Sequence, residues 1–399
     1  MAAQSSPERA ERTYDIVLFG ATGFVGQLTA EYLAAHAPAE LRWAVAGRSP
    51  AKLDALRTRL AELAPEGPAP EVVRAEVDDA GSLRELAAGA RVVATTVGPY
   101  ISYGEGLVEA CAEAGTDYLD LTGEPEFVDL MYVRHDARAR ETGARLVHAC
   151  GFDSVPHDLG VQFTVAQLPE GVPLRVDGYV QVDAQASGGT FASALTAFSR
   201  GPQMLAAARE RKQLEPRPTG RRAYAPPGTF HYSGEIGAWG LPLPTIDAQI
   251  VQRSARALER YGPDFRYRHY AGVRRLATVA GLLGLVTTTF AAAQFGPARR
   301  WLSDRLKPGE GPSAERRARS TFSVRFIGEG GGRRVYTEVA GGDPGYDETA
   351  KIFAESALSL AFDKLPATAG QVTPAVAMGE SLTDRLRAAG LTIRVAAVR

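Results

Sequence analysis

The chain of 399 residues is poor in cysteine and almost neutral in charge. It has two cysteines and a formal net charge of −1. Two thiols are too few for a disulfide framework, so the composition favours a reducing cytoplasmic compartment. A charge near zero gives no global attraction to nucleic acid or to an acidic membrane, so we expect no nucleic-acid partner.

Several catalytic motifs are also missing. No HExxH or CxxC pattern occurs, and we therefore predict no metal site. No Tyr-x-x-x-Lys pair is present, because Leu107 lies where a lysine would follow Tyr103. The short-chain dehydrogenase mechanism is thereby disfavoured. Residues 1–13 are polar with no apolar stretch, which predicts a disordered lead-in rather than a signal peptide.

Long uncharged runs are scarce, and the exception is 276–295, which arginines flank on both sides. Its length suits a bilayer span, but threonine, glycine and alanine dilute its hydrophobicity. Three interpretations stay open: a buried or lipid-groove helix, a membrane-surface contact, and a true span.

What the chain does have is a strand-like segment, Ile16 to Phe19, running into three glycines spaced three apart. We predict that Gly20 makes a tight turn, Gly23 lets backbone approach a pyrophosphate, and Gly26 lets a helix pack on the strand. Thr22 and Phe24 complete this loop. The pattern predicts a dinucleotide site.

The end of the second predicted strand, 41–46, indicates which dinucleotide. An NAD site would place a carboxylate near here, whereas this chain has Arg48, Ser49 and Lys52. An arginine fork and a hydroxyl suit a 2′-phosphate, so we predict NADP(H). Ligands of doubly wound sheets bind at the carboxyl ends of the strands, so we predict further cofactor contacts at Asp78, Val97, Gly98 and Tyr100.

Strands and helices alternate over the first 150 residues. Strands are predicted over 71–77, 91–97, 118–124 and 145–149, and helices over 105–114 and 125–142. Such alternation is typical of a doubly wound, Rossmann-type parallel sheet, so the predicted fold class is α/β. Asp79 is expected to cap a helix, and Cys111 to be a core residue.

Past residue 158 the alternation ends. We predict a strand over 174–185, an anion-binding or merely capping turn at 187–190 with a helix to 199, and a mobile loop at 211–228. A hairpin at 320–340 with a glycine turn over 328–332 follows, then helices over 346–364 and 381–389 and a strand over 392–398. The domains are therefore predicted as 14–158, NADP-binding, and 159–399, an α+β mixed-sheet domain for substrate and dimerisation. Part of 365–399 packing back on the first domain stays open.

The motifs GATGFVG (20–26), AGRS (46–49), VGPY (97–100), YLDLTGE (118–124) and CGFDSVPHDLG (150–160) resemble those of the saccharopine dehydrogenase-like oxidoreductases. Within that family the chain is most similar to the actinobacterial trans-acting enoyl reductases. The resemblance implies reduction of an α,β-unsaturated acyl group on a lipid or polyketide intermediate, in trans with a synthase that carries it.

Hydride transfer needs a proton donor beside the cofactor. Tyr100, Asp153 and His157 are the candidate catalytic residues, whereas Asp120 and Glu124 are expected to hold loops through backbone hydrogen bonds. Two alternatives remain: a saccharopine-type imine or carbonyl reductase, and a redox-inactive NADP-binding sensor or lipid-surface scaffold. We expect a cytoplasmic homodimer, with 276–295 as its possible site of membrane association.

Overall fold

The computed structural model describes residues 12–183, 200–279 and 312–398, with the isolated positions 281 and 284. The predictions for 187–199 and for most of 276–295 lie outside these residues. Among the helices within them, none combines the length and the apolar character that crossing a membrane requires.

The chain divides into two compact units. The first unit consists of the described residues up to Phe152 together with Tyr346–Ala389. The second consists of the described residues from Asp153 to Gly345 and from Gly390 onward. The sequence placed the boundary at 158. The difference arises because helix Val155–Ala166 packs on strands of the second unit, where Phe326 would lie 2.4 Å from a Cβ at Gly160.

The first unit is built on a seven-stranded sheet in which every pairing is parallel, in the order β14-β6-β5-β4-β1-β2-β3. Its strands are β1 Tyr14–Phe19, β2 Trp43–Gly47, β3 Glu71–Arg74, β4 Ala90–Thr95, β5 Asp117–Asp120, β6 Arg145–Val147 and β14 Gly370–Val372. Strand β1 is buried on both faces, as parallel sheets covered by helices require.

The helices of this unit begin and end where local chemistry dictates. They are α1 Phe24–His36, α2 Pro50–Leu63, α3 Ala80–Gly89, α4 Tyr100–Tyr103, α5 Glu105–Ala114, α6 Pro125–Thr142, α11 Asp347–Phe362, α12 Pro374–Ala377 and α13 Gly379–Ala388. The Asp79 side chain accepts hydrogen bonds from Gly81 and Ser82 N–H, which confirms the predicted cap. Cys111 is fully buried in α5, as predicted.

The second unit contains a mixed eight-stranded sheet, in the order β15-β13-β12-β7-β11-β10-β9 with β8 paired to β11. Its strands are β7 Leu174–Asp183, β8 Arg222–Tyr224, β9 His231–Ser233, β10 Ala238–Pro242, β11 Asp264–Val273, β12 Thr321–Gly330, β13 Arg333–Gly341 and β15 Thr392–Val398. Its helices are α7 Val155–Ala166, α8 Gly201–Leu214, α9 Ile246–Ala257 and α10 Ala314–Arg317, with a short 3-10 turn at Glu259–Tyr261.

The predicted hairpin is present, but its turn is shorter than expected. Strand β12 continues to Gly330, and only Gly331 and Gly332 turn, both with positive φ (57° and 78°). Gly328 belongs to the strand because helix α7 passes over it: a Cβ there would lie 2.6 Å from Cγ2 of Thr164. Gly328 thus serves helix packing rather than the turn.

Candidate functional site

The three glycines between β1 and α1 differ in what surrounds them. Gly20 has φ of +86°, and a Cβ there would lie 2.7 Å from Val97 Cγ2. At Gly26 a Cβ would lie 2.3 Å from the Gly20 carbonyl oxygen, so close helix–strand packing excludes any side chain. At Gly23 a Cβ would meet only that same oxygen, at 3.3 Å, and Gly23 is exposed.

This loop fits a pyrophosphate. Gly23 begins helix α1 and no side chain caps its N–H groups. Gly23 is exposed and carries no side chain, so a phosphate can approach the first backbone N–H groups of the helix, at its positive end. Thr22 is held to helix α1, because its carbonyl oxygen accepts a hydrogen bond from Nε2 of Gln27 at 2.9 Å. Phe24 packs edge-on against Tyr346, with ring centroids 5.0 Å apart.

The end of β2 presents two basic side chains. Arg48 and Lys52 are exposed and form no hydrogen bond or ion pair with other described residues. Ser49 begins helix α2 without capping it through its hydroxyl. A guanidinium, an ammonium and a hydroxyl are thus all available to an anion here. Asp78 follows β3, the neighbouring edge strand, and is also exposed.

Tyr100 lies at the end of β4 but its hydroxyl is already engaged. It donates to the Thr95 carbonyl and accepts from Leu121 N–H, both at 3.1 Å. Burial and the nearby Asp120 carboxylate hold the pKa of the phenol well above its usual value. The side chain therefore joins the loops after β4 and β5, and the structure argues against Tyr100 as a proton donor. Val97 and Gly98 lie in the same loop, half-buried and exposed.

Two carboxylates hold this edge of the sheet, as predicted. Glu124 accepts the backbone N–H groups of Tyr100 and Ile101, at 3.1 and 2.8 Å. Asp120 accepts those of Thr122 and Ala149, at 3.0 and 2.9 Å. Its other oxygen lies 2.6 Å from Nδ1 of His148, in a fully buried pair.

Asp153 and His157 belong to a cluster inside the second unit. Nδ1 of His157 lies 2.9 Å from Oδ1 of Asp247, and the rings of His157 and His269 meet edge to face at 4.9 Å. Burial, and then the Asp247 carboxylate, raise the pKa of Asp153 to about 6. Burial lowers the pKa of His269 to about 4, so its ring is neutral.

The sequence did not point to Asp247 or His269. A period-two signal was present, since Phe265, Tyr267 and His269 alternate along β11. Asp247 lies in the first turn of α9, where a carboxylate is common because it interacts favourably with the helix dipole, so its sequence position did not single it out.

A parallel sheet with an open glycine loop and a basic second strand end defines a Rossmann-type, NADP-binding oxidoreductase. The family model for the saccharopine dehydrogenase NADP-binding domain matches residues 16–147. The chain is 40% identical to a provisionally named trans-acting enoyl reductase of Mycobacterium tuberculosis, over 96% of this chain and 97% of that one. It is 35% identical to a second M. tuberculosis protein, named trans-acting enoyl reductase, over 96% and 98%. The chain belongs to this family of saccharopine dehydrogenase-like, NADP-dependent oxidoreductases.

The fold agrees with this assignment. Saccharopine dehydrogenase of Saccharomyces cerevisiae superposes with a TM-score of 0.54 at 12% identity, covering 96% of this chain and all of that one. At that identity the likeness concerns the fold alone.

Proposed function

We propose that the protein is a trans-acting enoyl reductase that uses NADPH to saturate an α,β-unsaturated acyl group. The observation that supports this is the match to relatives named for that activity, which extends through both units at 35–40% identity. A match confined to the cofactor domain would support only an NADP-binding oxidoreductase. The second unit, which the match includes, is where such enzymes differ in substrate.

We assign the cofactor contacts to residues of the first unit, and the exposed glycine loop and the exposed basic side chains after β2 support this assignment. Gly20, Thr22, Gly23, Phe24 and Gly26 would hold the pyrophosphate at the start of α1. Arg48, Ser49 and Lys52 would bind the 2′-phosphate, with Asp78 beside the adenine. Val97, Gly98 and the Tyr100 backbone would line the path towards the nicotinamide. When bound, the nicotinamide supplies a hydride to the β-carbon of the acyl group.

The α-carbon needs a proton, and Asp153 is the better of the two remaining candidates. Asp153 is partly exposed, whereas His157 is only 2% exposed. A donor must come within hydrogen-bond reach of the substrate, so exposure favours Asp153. His157 would then influence Asp153 electrostatically, as part of the buried cluster, without contacting the substrate.

The proposal also covers the substrate, the oligomeric state and the membrane contact. We infer a lipid or polyketide acyl intermediate, carried by a synthase, as the substrate. We further infer a cytoplasmic homodimer that contacts the membrane surface through 276–295. An uncharged segment between arginine pairs supports such a contact, because long acyl substrates partition to membranes.

The test is NADPH oxidation in the presence of enoyl thioesters of increasing chain length, with matched ketones and imines as competitors. Turnover of the enoyl thioester with saturated product by mass spectrometry supports the proposal. Turnover of the ketone or imine instead would support the saccharopine-type reaction. NADPH binding without oxidation of any of these would favour a redox-inactive sensor.

A further inference from the structure

Two imidazoles and one carboxylate converge inside the second unit from three different elements. His157 comes from α7, Asp247 from α9 and His269 from β11. All three are buried, with exposed fractions of 2%, 4% and 4%. One ligand atom from each residue, a ring nitrogen or a carboxylate oxygen, lies within 4.8 Å of the other two.

The two histidines approach this carboxylate unequally. Nδ1 of His157 lies 2.9 Å from Oδ1 of Asp247, within the range of a hydrogen bond and an ion pair. Nε2 of His269 is 3.7 Å from Oδ2, beyond hydrogen-bond range. Two buried rings thus face the two oxygens of one buried carboxylate, and buried charges in proteins are either paired or coordinate metals.

The outer contacts orient the donors towards a common point. The Tyr267 hydroxyl lies 2.9 Å from Nδ1 of His269, which leaves Nε2 facing Asp247. The Thr245 hydroxyl donates to Oδ2 of Asp247 and leaves Oδ1 for another partner. Metal-binding histidines are held by this kind of contact to the second ring nitrogen.

We propose that His157, Asp247 and His269 bind one divalent transition-metal ion of the Zn²⁺ class. A tetrahedral ion with bonds of about 2.0–2.2 Å sets its ligands about 3.3 Å apart. Nδ1 of His157 lies 2.9 Å from one Asp247 oxygen and Nε2 of His269 lies 3.7 Å from the other, distances on either side of that value. One ligand atom from each residue lies within 4.8 Å of the other two, so binding an ion requires the side chains to close slightly. Two nitrogens and one oxygen suit zinc, whereas calcium and magnesium require oxygen ligands.

This site adjoins Asp153, the proposed proton donor, but its assignment does not depend on the proposed reduction. It was not predicted from the sequence, which lacks adjacent metal-binding motifs. Its ligands are far apart in the chain and meet only through the packing of α7 and α9 on the sheet. Asp153 interacts electrostatically with both His157 and Asp247.

The experiment uses the full chain, stripped with a chelator and then titrated with Zn²⁺ and with Co²⁺. We expect about one metal ion per chain by elemental analysis, visible absorption bands for Co²⁺, and a higher Tm with Zn²⁺. Asp247→Asn and His269→Gln should weaken binding about a hundredfold or more, since loss of a ligand exceeds the ten- to hundredfold cost of losing an outer contact. His231→Gln, which removes a histidine elsewhere in the same unit, is the matched control and should bind as the wild type does.

Because Asp247→Asn removes a buried charge and can unfold the unit, Tyr267→Phe provides a second measurement. It keeps the ring and removes the contact to His269, so we expect a roughly tenfold loss of metal affinity with an unchanged circular dichroism spectrum. Failure of the wild type to take up metal would overturn the proposal. So would equal uptake by the wild type and by the folded ligand or Tyr267 variants, because it would place the ion elsewhere.

Discussion

The two carboxylate oxygens of Glu124 each hold one backbone N–H group, that of Tyr100 at 3.1 Å and that of Ile101 at 2.8 Å. Glu124 thereby caps the short helix α4 from the loop after β5, and the loop that contains Val97 and Gly98 leads directly into that helix. Glu124→Ala would leave two N–H groups without their acceptor. We expect a loss of about 1–3 kcal/mol in the free energy of unfolding and a higher KM for NADPH.

Urea denaturation and steady-state kinetics measure the two effects of Glu124→Ala. Glu109→Ala, on the neighbouring helix α5, is the control and should change neither value. A Glu124→Ala protein with wild-type stability would show that these two bonds contribute nothing net.

Arg48 should determine the choice between the two nicotinamide dinucleotides. Arg48→Asp replaces a cation that suits a 2′-phosphate with a carboxylate that repels it. We expect kcat/KM for NADPH to fall about tenfold to a hundredfold while that for NADH is kept or rises, since a charge-assisted hydrogen bond contributes about 1.5–3 kcal/mol. Arg57→Asp, an exposed arginine of the same helix region, should leave the ratio unchanged. An unaltered ratio in Arg48→Asp would exclude this residue from the phosphate site.

Gly23→Ala and Gly26→Ala should separate binding from folding. The methyl group at 23 would meet only the Gly20 carbonyl oxygen, at 3.3 Å, and lies in the loop proposed to bind the pyrophosphate, so we expect weaker NADPH binding with little change in Tm. The methyl group at 26 would lie 2.3 Å from a carbonyl oxygen, so we expect a Tm loss equivalent to about 1–3 kcal/mol or more. Isothermal titration and differential scanning calorimetry measure these two quantities. Gly201→Ala meets no atom within 4 Å and is the control for both.

The proton donor can be identified by comparing Asp153→Asn with Tyr100→Phe. If Asp153 protonates the substrate, its amide variant should lose about 10²–10⁴ in kcat while the Kd for NADPH stays constant. Tyr100→Phe should instead lower stability by about 1 kcal/mol, because the hydroxyl joins two loops, and should keep most of kcat. A large kcat loss in Tyr100→Phe at full stability would reverse the assignment.

Asp15 should make the first unit sensitive to acid. Burial alone would raise its pKa, but hydrogen bonds from the Arg42 side chain and backbone and from Arg91 outweigh burial and lower the pKa below its usual value. A lowered pKa in the folded state stabilises the protein above the ordinary Asp pKa of about 3.9, and that stability is lost as the pH falls further. Asp15→Asn should be less stable than the wild type at pH 7, and the difference should shrink below about pH 4. Thermal unfolding across this pH range tests it, and a constant difference would contradict it.

The sequence predicted the first unit more closely than the second. Helices at 105–114 and 125–142 match the structure, because proline or glycine marks their ends and their apolar residues recur with helical spacing. Strands β8 to β10 and helix α9 were not predicted. Their sequences are short or mixed in pattern, and their pairing depends on β7, β11 and β12, which are distant in the chain.

The candidate residues divide in the same way. The glycine loop and Arg48 could be proposed from the sequence because a phosphate site depends on a few consecutive residues. Tyr100 was a candidate donor because of its position after a strand end, whereas only the structure shows that its hydroxyl bonds to Thr95 and Leu121.

The sequence by itself determined the cofactor class, since turn geometry and charge at the end of β2 are local properties that neighbouring residues express. Tertiary structure alone decided which polar side chains meet inside the second unit. There His157, Asp247 and His269 are separated by long stretches of chain, and they meet because α7 and α9 bury apolar surface on the mixed sheet. Burial then removes water from these polar groups and leaves them in contact with one another. The spacing of the three residues along the chain does not predict this contact.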